Sequence, residues 1–450
     1  TENFVVMLVV GLAPISWFTV GTISNLQELL AVLFTLTSVY LHSLARTHRK
    51  PGYAIATLVS FSLALLSKET TLFWIPALII LWEVSQNYTW QWIRAKLLFS
   101  EGILALFYLV LHIIVVPEIW KTESVHLDFS QALGTRLGAL GSLLVKLINP
   151  LRPSVSDATR IVDLTNPVVL TLLAVLALSL FMIVKSGIRS NWAKALMLFF
   201  IFIFPAANIV PLPRFSSTHY GYILTVALAA GTVLLLRTFA KHSEGTYKIA
   251  WVGLSLWLIT AGYSTFVSGF AHQDDLTLFG PEVVKDPLYK EGHFYLGNYY
   301  FARGQIVQAE NLYTAALTQT PGVLAYVDTT AAMINLSGVL IAQNQLDKAE
   351  NLLKEAQKLQ MSSATRQSAI YTLALMYLSK EDHAMVVTTL RTSDYQFSNP
   401  NAYFVLAQAL YKSGRKDEAI AVLQKLEPLL NLDQKQKLQE FMKHLESEKL

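Results

Sequence analysis

The chain has 450 residues, 53% hydrophobic and only 15% charged, with a net charge of +4 and a mean hydropathy of +0.42. That is too apolar for an ordinary soluble enzyme and fits a membrane protein. The modest positive charge comes with no basic, aromatic-interleaved stripe, which excludes nucleic acid as a partner. The absence of cysteine excludes disulfides, thiol catalysis and thiolate metal sites.

The opening stretch, "TENFVVMLVVGLAP", carries neither an initiator Met nor a basic leader, and we expect further spans upstream of Thr1. Up to about residue 270 the sequence is a train of apolar runs, and from about residue 290 it turns polar and rich in Gln, Lys and Glu. The expected fold is therefore all-α: a polytopic transmembrane helical bundle followed by an α-solenoid. Its boundaries are a multi-pass membrane domain over 1–268, a linker helix over 269–290, four repeats over 291–428 and a capping helix over 429–450.

Apolar runs near the length of a bilayer crossing give about nine candidate spans. They fall near 4–21, 25–44, 52–67, 70–84, 99–116, 166–184, 195–212, 219–236 and 249–267. The third and fourth are short enough to form one broken hairpin around Ser67, Lys68 and Glu69. Basic residues cluster in alternate loops, at Arg46, Arg49 and Lys50, at Arg94 and Lys96, at Lys185, Arg189 and Lys194, and at Arg237, Lys241 and Lys248. The positive-inside rule assigns those loops to the cytoplasm, so Lys68 and Glu69, the 211–219 loop and everything after about 268 face the extracytoplasmic side. At an outer surface the adjacent charges cost less than at mid-bilayer and reach a water-exposed site.

Between 117 and 165, Leu133, Leu137, Leu140, Leu144 and Leu147 recur at helical spacing, and the pattern predicts an amphipathic helix on the membrane interface, ended by Pro150 and Pro153. Asp274 and Asp275 precede an apolar helix and read as its cap rather than as a catalytic base. The stretch from Leu296 to Pro321, with Gly297, Tyr300, Gly304, Ala309, Tyr313 and Ala316, follows the tetratricopeptide pattern. Its register returns at Leu336, in weaker form at Leu373, Ala374 and Tyr377, and at Leu406. Stacked repeats build a groove suited to polypeptide. The sequon at Asn335 falls inside a repeat helix, and the charge run near the C-terminus reads as solvated surface.

With these motifs in view, nearly the whole chain resembles the transmembrane and tetratricopeptide-repeat O-mannosyltransferases and their bacterial relatives, membrane glycosyltransferases of the GT-C class. "LLSKETTLFWIPALIILWE" is similar to the family's Ser-Lys-Glu motif, "APISWFTVGTISNLQELLAVLF" to the segment that places Asn25 and Glu28, and "FPAANIVPLPRFSSTHYGYIL" to the stretch ending at Tyr220 and Tyr222. Ala13 and His219 depart from it, standing where the family has His and Arg. The resemblance implies transfer of a sugar, mannose in that family, from a polyprenyl-phosphate donor to protein Ser or Thr. The repeats would hold the acceptor polypeptide in the extracytoplasmic space, whether periplasm, cell exterior or endoplasmic reticulum lumen. It implies Lys68, Arg214 and His219 on the donor phosphate and Glu69, Asn25, Glu28, Tyr220 and Tyr222 orienting it or lining the cavity. The catalytic acid is expected upstream of Thr1, no metal ligand is assigned, and the lipid bilayer and lipid-linked sugar are the other partners. Plainer readings stand beside these: a salt-bridged cap at Lys68 and Glu69, a snorkelling Arg214, an interfacial His219, and belt anchors at Tyr220 and Tyr222. So does a second function, a non-catalytic membrane-anchored repeat scaffold for protein assembly. An oligosaccharide ligase is the third, lacking a large outer loop with Arg and His.

Overall fold

The computed structural model describes the chain except residues 1, 87–95, 116–126, 152–153, 209–211, 213, 360, 392–398, 427–429, 431–434, 436–437, 440–441 and 443–450. Among the described residues there are twenty α-helices and one two-stranded antiparallel ribbon. They divide into two units, the first comprising 1–289 with 320–326 and the second 290–319 with 327–450.

In the first unit, α1 (Glu2–Leu12) and α2 (Ser16–Gly21) are separated by a break at Ala13 to Ile15, where Pro14 has no N–H to continue the helix. The long α3 (Leu26–His48) is followed by α4 (Pro51–Ser67), α5 (Thr71–Ser85) and α6 (Lys96–Val115). Next come α7 (Phe129–Ile148), α8 (Pro167–Ser186), α9 (Asn191–Ile203), α10 (Leu224–His242), α11 (Glu244–Gly269) and α12 (Asp275–Lys285). Helix starts follow local chemistry: the side chains of Asp128, Asn166, Ser190 and Ser243 each accept a backbone N–H in the first turn of α7, α8, α9 and α11. Asp274 does the same for α12 in a reciprocal capping box with Thr277, as the sequence predicts.

The candidate spans fall largely on helix, but 4–21 is broken between α1 and α2 and 195–212 runs past the end of α9; among the described residues, five segments are long and apolar enough to cross a membrane: Ile23–His48, Lys96–Val115, Pro167–Ser186, Thr218–His242 and Glu244–Gln273. Glu2–Leu12, Pro51–Ser67, Thr71–Ser85 and Asn191–Ala207 are apolar but shorter. The leucine stripe of α7 differs from the sequence expectation. Leu137, Leu140, Leu143 and Leu147 are buried in the core of the unit with residues of α3, α5, α8, α9 and α10, so its apolar face is covered by protein. Pro150 follows the end of α7, whereas Pro153 lies outside the described residues. Strands β1 (Thr159–Arg160) and β2 (Val323–Leu324) pair antiparallel, which assigns 320–326 to this unit.

Among the described residues, the second unit is four helix pairs: α13 (Lys290–Phe301) with α14 (Ile306–Leu317), α15 (Thr329–Ala342) with α16 (Leu346–Lys358), α17 (Ser363–Ser379) with α18 (His383–Arg391), and α19 (Pro400–Lys412) with α20 (Lys416–Leu426). Each pair turns through a left-handed residue, Gly304, Asn344, Glu381 or Gly414. Each turn also closes with the same long-range bond of a Schellman motif, from the N–H of Gln305, Gln345, Asp382 or Arg415 to the carbonyl of Tyr300, Leu340, Tyr377 or Leu410 at 2.8–3.0 Å. Gly297 is required by close approach, because a Cβ there would meet the Tyr313 ring at 2.6 Å. Asn335, the residue of the sequon, donates to Asn298, which also accepts from the Tyr313 hydroxyl at 2.7 Å, so its side chain is engaged inside the repeat stack. Most of the expected capping helix lies outside the described residues.

Candidate functional site

The residues singled out from the sequence meet where three chain segments converge in the first unit. Lys68 occupies the link between α4 and α5 in extended conformation. Its own N–H closes on Ala64, and its carbonyl accepts from the Thr71 hydroxyl at 2.7 Å, so the link is held from both sides. Glu28 sits in the first turn of α3, where the helix N-terminus favours a carboxylate. His219 lies on the 3₁₀ turn Thr218–Gly221, held close to the core by Gly221, whose missing Cβ would meet Ile15 at 2.4 Å.

The Lys68 ammonium donates directly to Glu28, and the two are 8% and 2% exposed. His219 Nε2 stands 3.8 Å from the same carboxylate oxygen, and its Nδ1 is 2.6 Å from the Ser217 hydroxyl. The Tyr220 ring lies edge-on to His219 with centroids 4.4 Å apart and carries the Lys68 ammonium 5.1 Å from its centroid. Beside them is a pocket of about 10 Å³, room for roughly one water molecule. It is lined by Glu28, Lys68, Thr70, Trp74, Leu212 and Tyr220 among others.

The remaining predicted residues are distributed around this centre. Asn25 is buried at the entry to α3. Arg214 lies 5.0 Å above the Tyr326 ring. Tyr222 packs against the hydrophobic core, and Glu69 is exposed to solvent rather than joined to Lys68. The salt bridge at this link thus runs to Glu28, across the fold, and not to the neighbour in sequence.

Beneath the turn lies a polar layer that sequence reasoning missed. Lys146 of α7 donates to the Ser156 carbonyl at 2.8 Å and reaches the Thr218 hydroxyl at 3.5 Å. Ser156 donates to Asp286 at 2.5 Å, the wholly buried Glu282 accepts from the Val155 N–H at 3.0 Å, and Asp157 accepts from the Tyr326 N–H at 3.2 Å. Burial draws the Lys146 ammonium down to about 8, opposed by the carboxylates of Asp157, Glu282 and Asp286. A second ionic cluster, His42, Arg46, Glu83 and Glu101, is buried toward the other end of α3. Its signal was on the page, since ionisable residues inside apolar runs mark sites by default. Among the described residues no group of three or more His, Asp or Glu could hold a metal ion.

Comparison with known proteins speaks to the second unit. Residues 300–370 match the model described as tetratricopeptide repeat, and residues 342–426 match that described as anaphase-promoting complex, cyclosome, subunit 3. Neither model describes a glycosyltransferase, and no curated protein matches the chain. A crystal structure of yeast Tom70 is similar at 14% identity over 91% of this chain and 88% of that one, with a TM-score of 0.32 that is too low to argue from. The matched residues and the four helix pairs with their repeated turn together establish that the C-terminal part of the chain is a tetratricopeptide-repeat array.

Proposed function

We propose that the chain is a multi-pass membrane protein whose repeats bind polypeptide, a membrane-anchored scaffold for protein assembly. The observation that carries the reading is the repeat array, because stacked helix pairs present an extended surface whose general use is protein binding. Within it, α19 exposes Asn401, Phe404, Gln408 and Lys412 along one face, an aromatic anchor among groups that hydrogen-bond a peptide main chain. Anchoring is supported by α6, α8 and α11, which expose apolar side chains such as Phe107 (64%), Phe181 (58%) and Ile259 (68%) that water would not favour and lipid would. The basic loops are read as cytoplasmic and the repeats as extracytoplasmic. The test is a photo-crosslinking residue in place of Phe404 in the full chain. A polypeptide partner should be trapped there and lost when Gln408 is replaced by Asp; crosslinks to lipid alone would sink the reading.

A second reading, a glycosyltransferase moving a sugar from a polyprenyl phosphate to protein Ser or Thr, is favoured by the convergence of Glu28, Lys68, His219 and Tyr220 in an apolar unit. In that reading the donor phosphate displaces Glu28 from Lys68, since the pocket between them has room for little more than one water. The freed carboxylate then faces the acceptor, and Arg214 supplies further positive charge. No metal enters the reading. Sugar transfer by the full chain that Lys68→Met abolishes when rates are compared per folded molecule would establish it; equal activity per folded molecule in the two proteins would end it.

A further inference from the structure

The apolar helix α6 has one fully buried residue, and it is a glutamate. Glu101 is 4% exposed and its Oε1 lies 2.8 Å from Nδ1 of His42 on α3, which is wholly buried. His42 Nε2 lies 3.1 Å from Oε1 of Glu83 on α5, itself wholly buried. Arg46, one turn along α3, reaches Glu83 through Nε at 2.7 Å and through Nη2 at 3.3 Å. The Trp82 ring stands edge-on to the imidazole at 5.6 Å. Glu101 Oε2 is buried with no hydrogen-bond partner among the described residues.

These distances fix where protons must lie. Arg46 donates two N–H groups to Glu83, so Glu83 is ionised and Arg46 balances its charge. The Nε2 contact to Glu83 requires an N–H there. The line from Nδ1 to Glu101 requires a further proton, because an imidazole lone pair and a carboxylate lone pair repel at that separation. That proton belongs to the His42 and Glu101 pair jointly. On nitrogen or on oxygen, the cluster of four residues is neutral overall, the condition on which an apolar interior accepts it.

We propose that His42 and Glu101 form a proton-binding site whose occupancy latches α6 to α3. When the proton leaves for solvent, two acceptors face one another and the cluster carries an uncompensated negative charge. Among the described residues, Leu98, Leu104, Ala105 and Tyr108 of α6 are only partly buried where they pack against the core of α4 and α5. Among the described residues, Glu83 and Arg46 are the other ionisable groups beside the pair. Tyr53, which belongs to α4, contacts His48, Tyr108 contacts His112, and Lys96 is exposed at the start of α6. The inference rests on the packing of the first unit and not on the function proposed above.

The test uses the cysteine-free full chain with one cysteine introduced at Ala105. Its reaction with a thiol reagent is compared with that of the same cysteine in a Glu101→Gln background, where the contact persists without a titrating proton. The ratio of the two rates should rise roughly tenfold between about pH 6 and about pH 9. A ratio that stays flat overturns the proposal. Infrared difference spectra over the same range should show loss of one carboxylic-acid or imidazolium signal in the parent chain, missing in Glu101→Gln; identical spectra overturn it independently of labelling.

Discussion

Lys68 and Glu28 are separated by 40 residues in sequence, yet each is the other's condition for being buried. Replacing Lys68 by Met leaves a carboxylate uncompensated, and the expected loss is about 3–5 kcal/mol of stability. Adding Glu28→Leu should recover most of it, because the pair is then replaced by apolar volume. Thermal unfolding of the purified full chain decides this, and a double variant no better than Lys68→Met removes the pairing argument. Lys68 was legible in the sequence as an anomaly in apolar surroundings, with Glu69 beside it, and Glu28 only through the family resemblance, but that Lys68 pairs with Glu28 was not. A charge's partner is set by which helices pack, and neither residue's neighbours carry that information. Lys146 makes the same point, since it sits in a leucine-rich helix like any surface lysine and only the fold brings Asp157, Glu282 and Asp286 around it. Its folded value of about 8 lies below the roughly 10.4 of an unfolded lysine, so protonation favours the unfolded chain. The penalty is fully present below about pH 8 and is released as pH rises toward 10. The parent chain should therefore gain about 1–3 kcal/mol relative to Lys146→Met across that window, read as the difference in unfolding midpoints. Parallel pH profiles would show that the ammonium is not strained.

At the scale of elements, the repeats were the most legible part of the chain, because each depends on local chemistry repeated four times. Small residues sit where helices touch, and a left-handed residue stands at every turn. That left-handed position is held by Gly304 and Gly414 but also by Asn344 and Glu381, and a glutamate with φ of 58° is strained. Glu381→Gly should stabilise the array by about 0.5–1 kcal/mol, the strain relieved exceeding the entropy glycine adds to the unfolded chain. Gly297→Val should do the reverse by several kcal/mol, since its Cβ meets the buried Tyr313 ring. Denaturation followed by circular dichroism separates the two, and a destabilised Glu381→Gly would show that its side chain contributes more than its backbone costs. By contrast, α7 was legible as a helix and not as to what covers it. The same leucine spacing serves a membrane surface or a protein core, and only the packing of α3, α8, α9 and α10 against Leu137, Leu140 and Leu143 distinguishes them.

For the whole molecule, the alternating basic loops are the basis of the proposed topology, and helix length bears on it. Among the described residues, five apolar segments are long enough to cross a bilayer, while α4 and α5, which flank Lys68, are 17 and 15 residues long. A bilayer crossing takes roughly 20 residues, so the proposed multi-pass reading requires local thinning, or cover by their buried link, at these two short helices. Charge gives the direction that length cannot. Arg46, Arg49 and Lys50 lie at one end of α3, and Ser24 lies just before the other, so the two ends of this helix should be on opposite sides. The absence of cysteine allows each position to be tested singly. Ser337 is wholly buried and would not label from either side, so the repeats are better probed at the exposed Ser363. In intact cells an impermeant thiol reagent should modify Ser24→Cys and Ser363→Cys at once, and Asn191→Cys only after permeabilisation. Labelling of Ser24 and Asn191 from the same side would overturn the bundle's orientation. Labelling of Ser363 with Asn191 alone would keep the orientation but move the repeats, and with them any polypeptide they bind, to the cytoplasm.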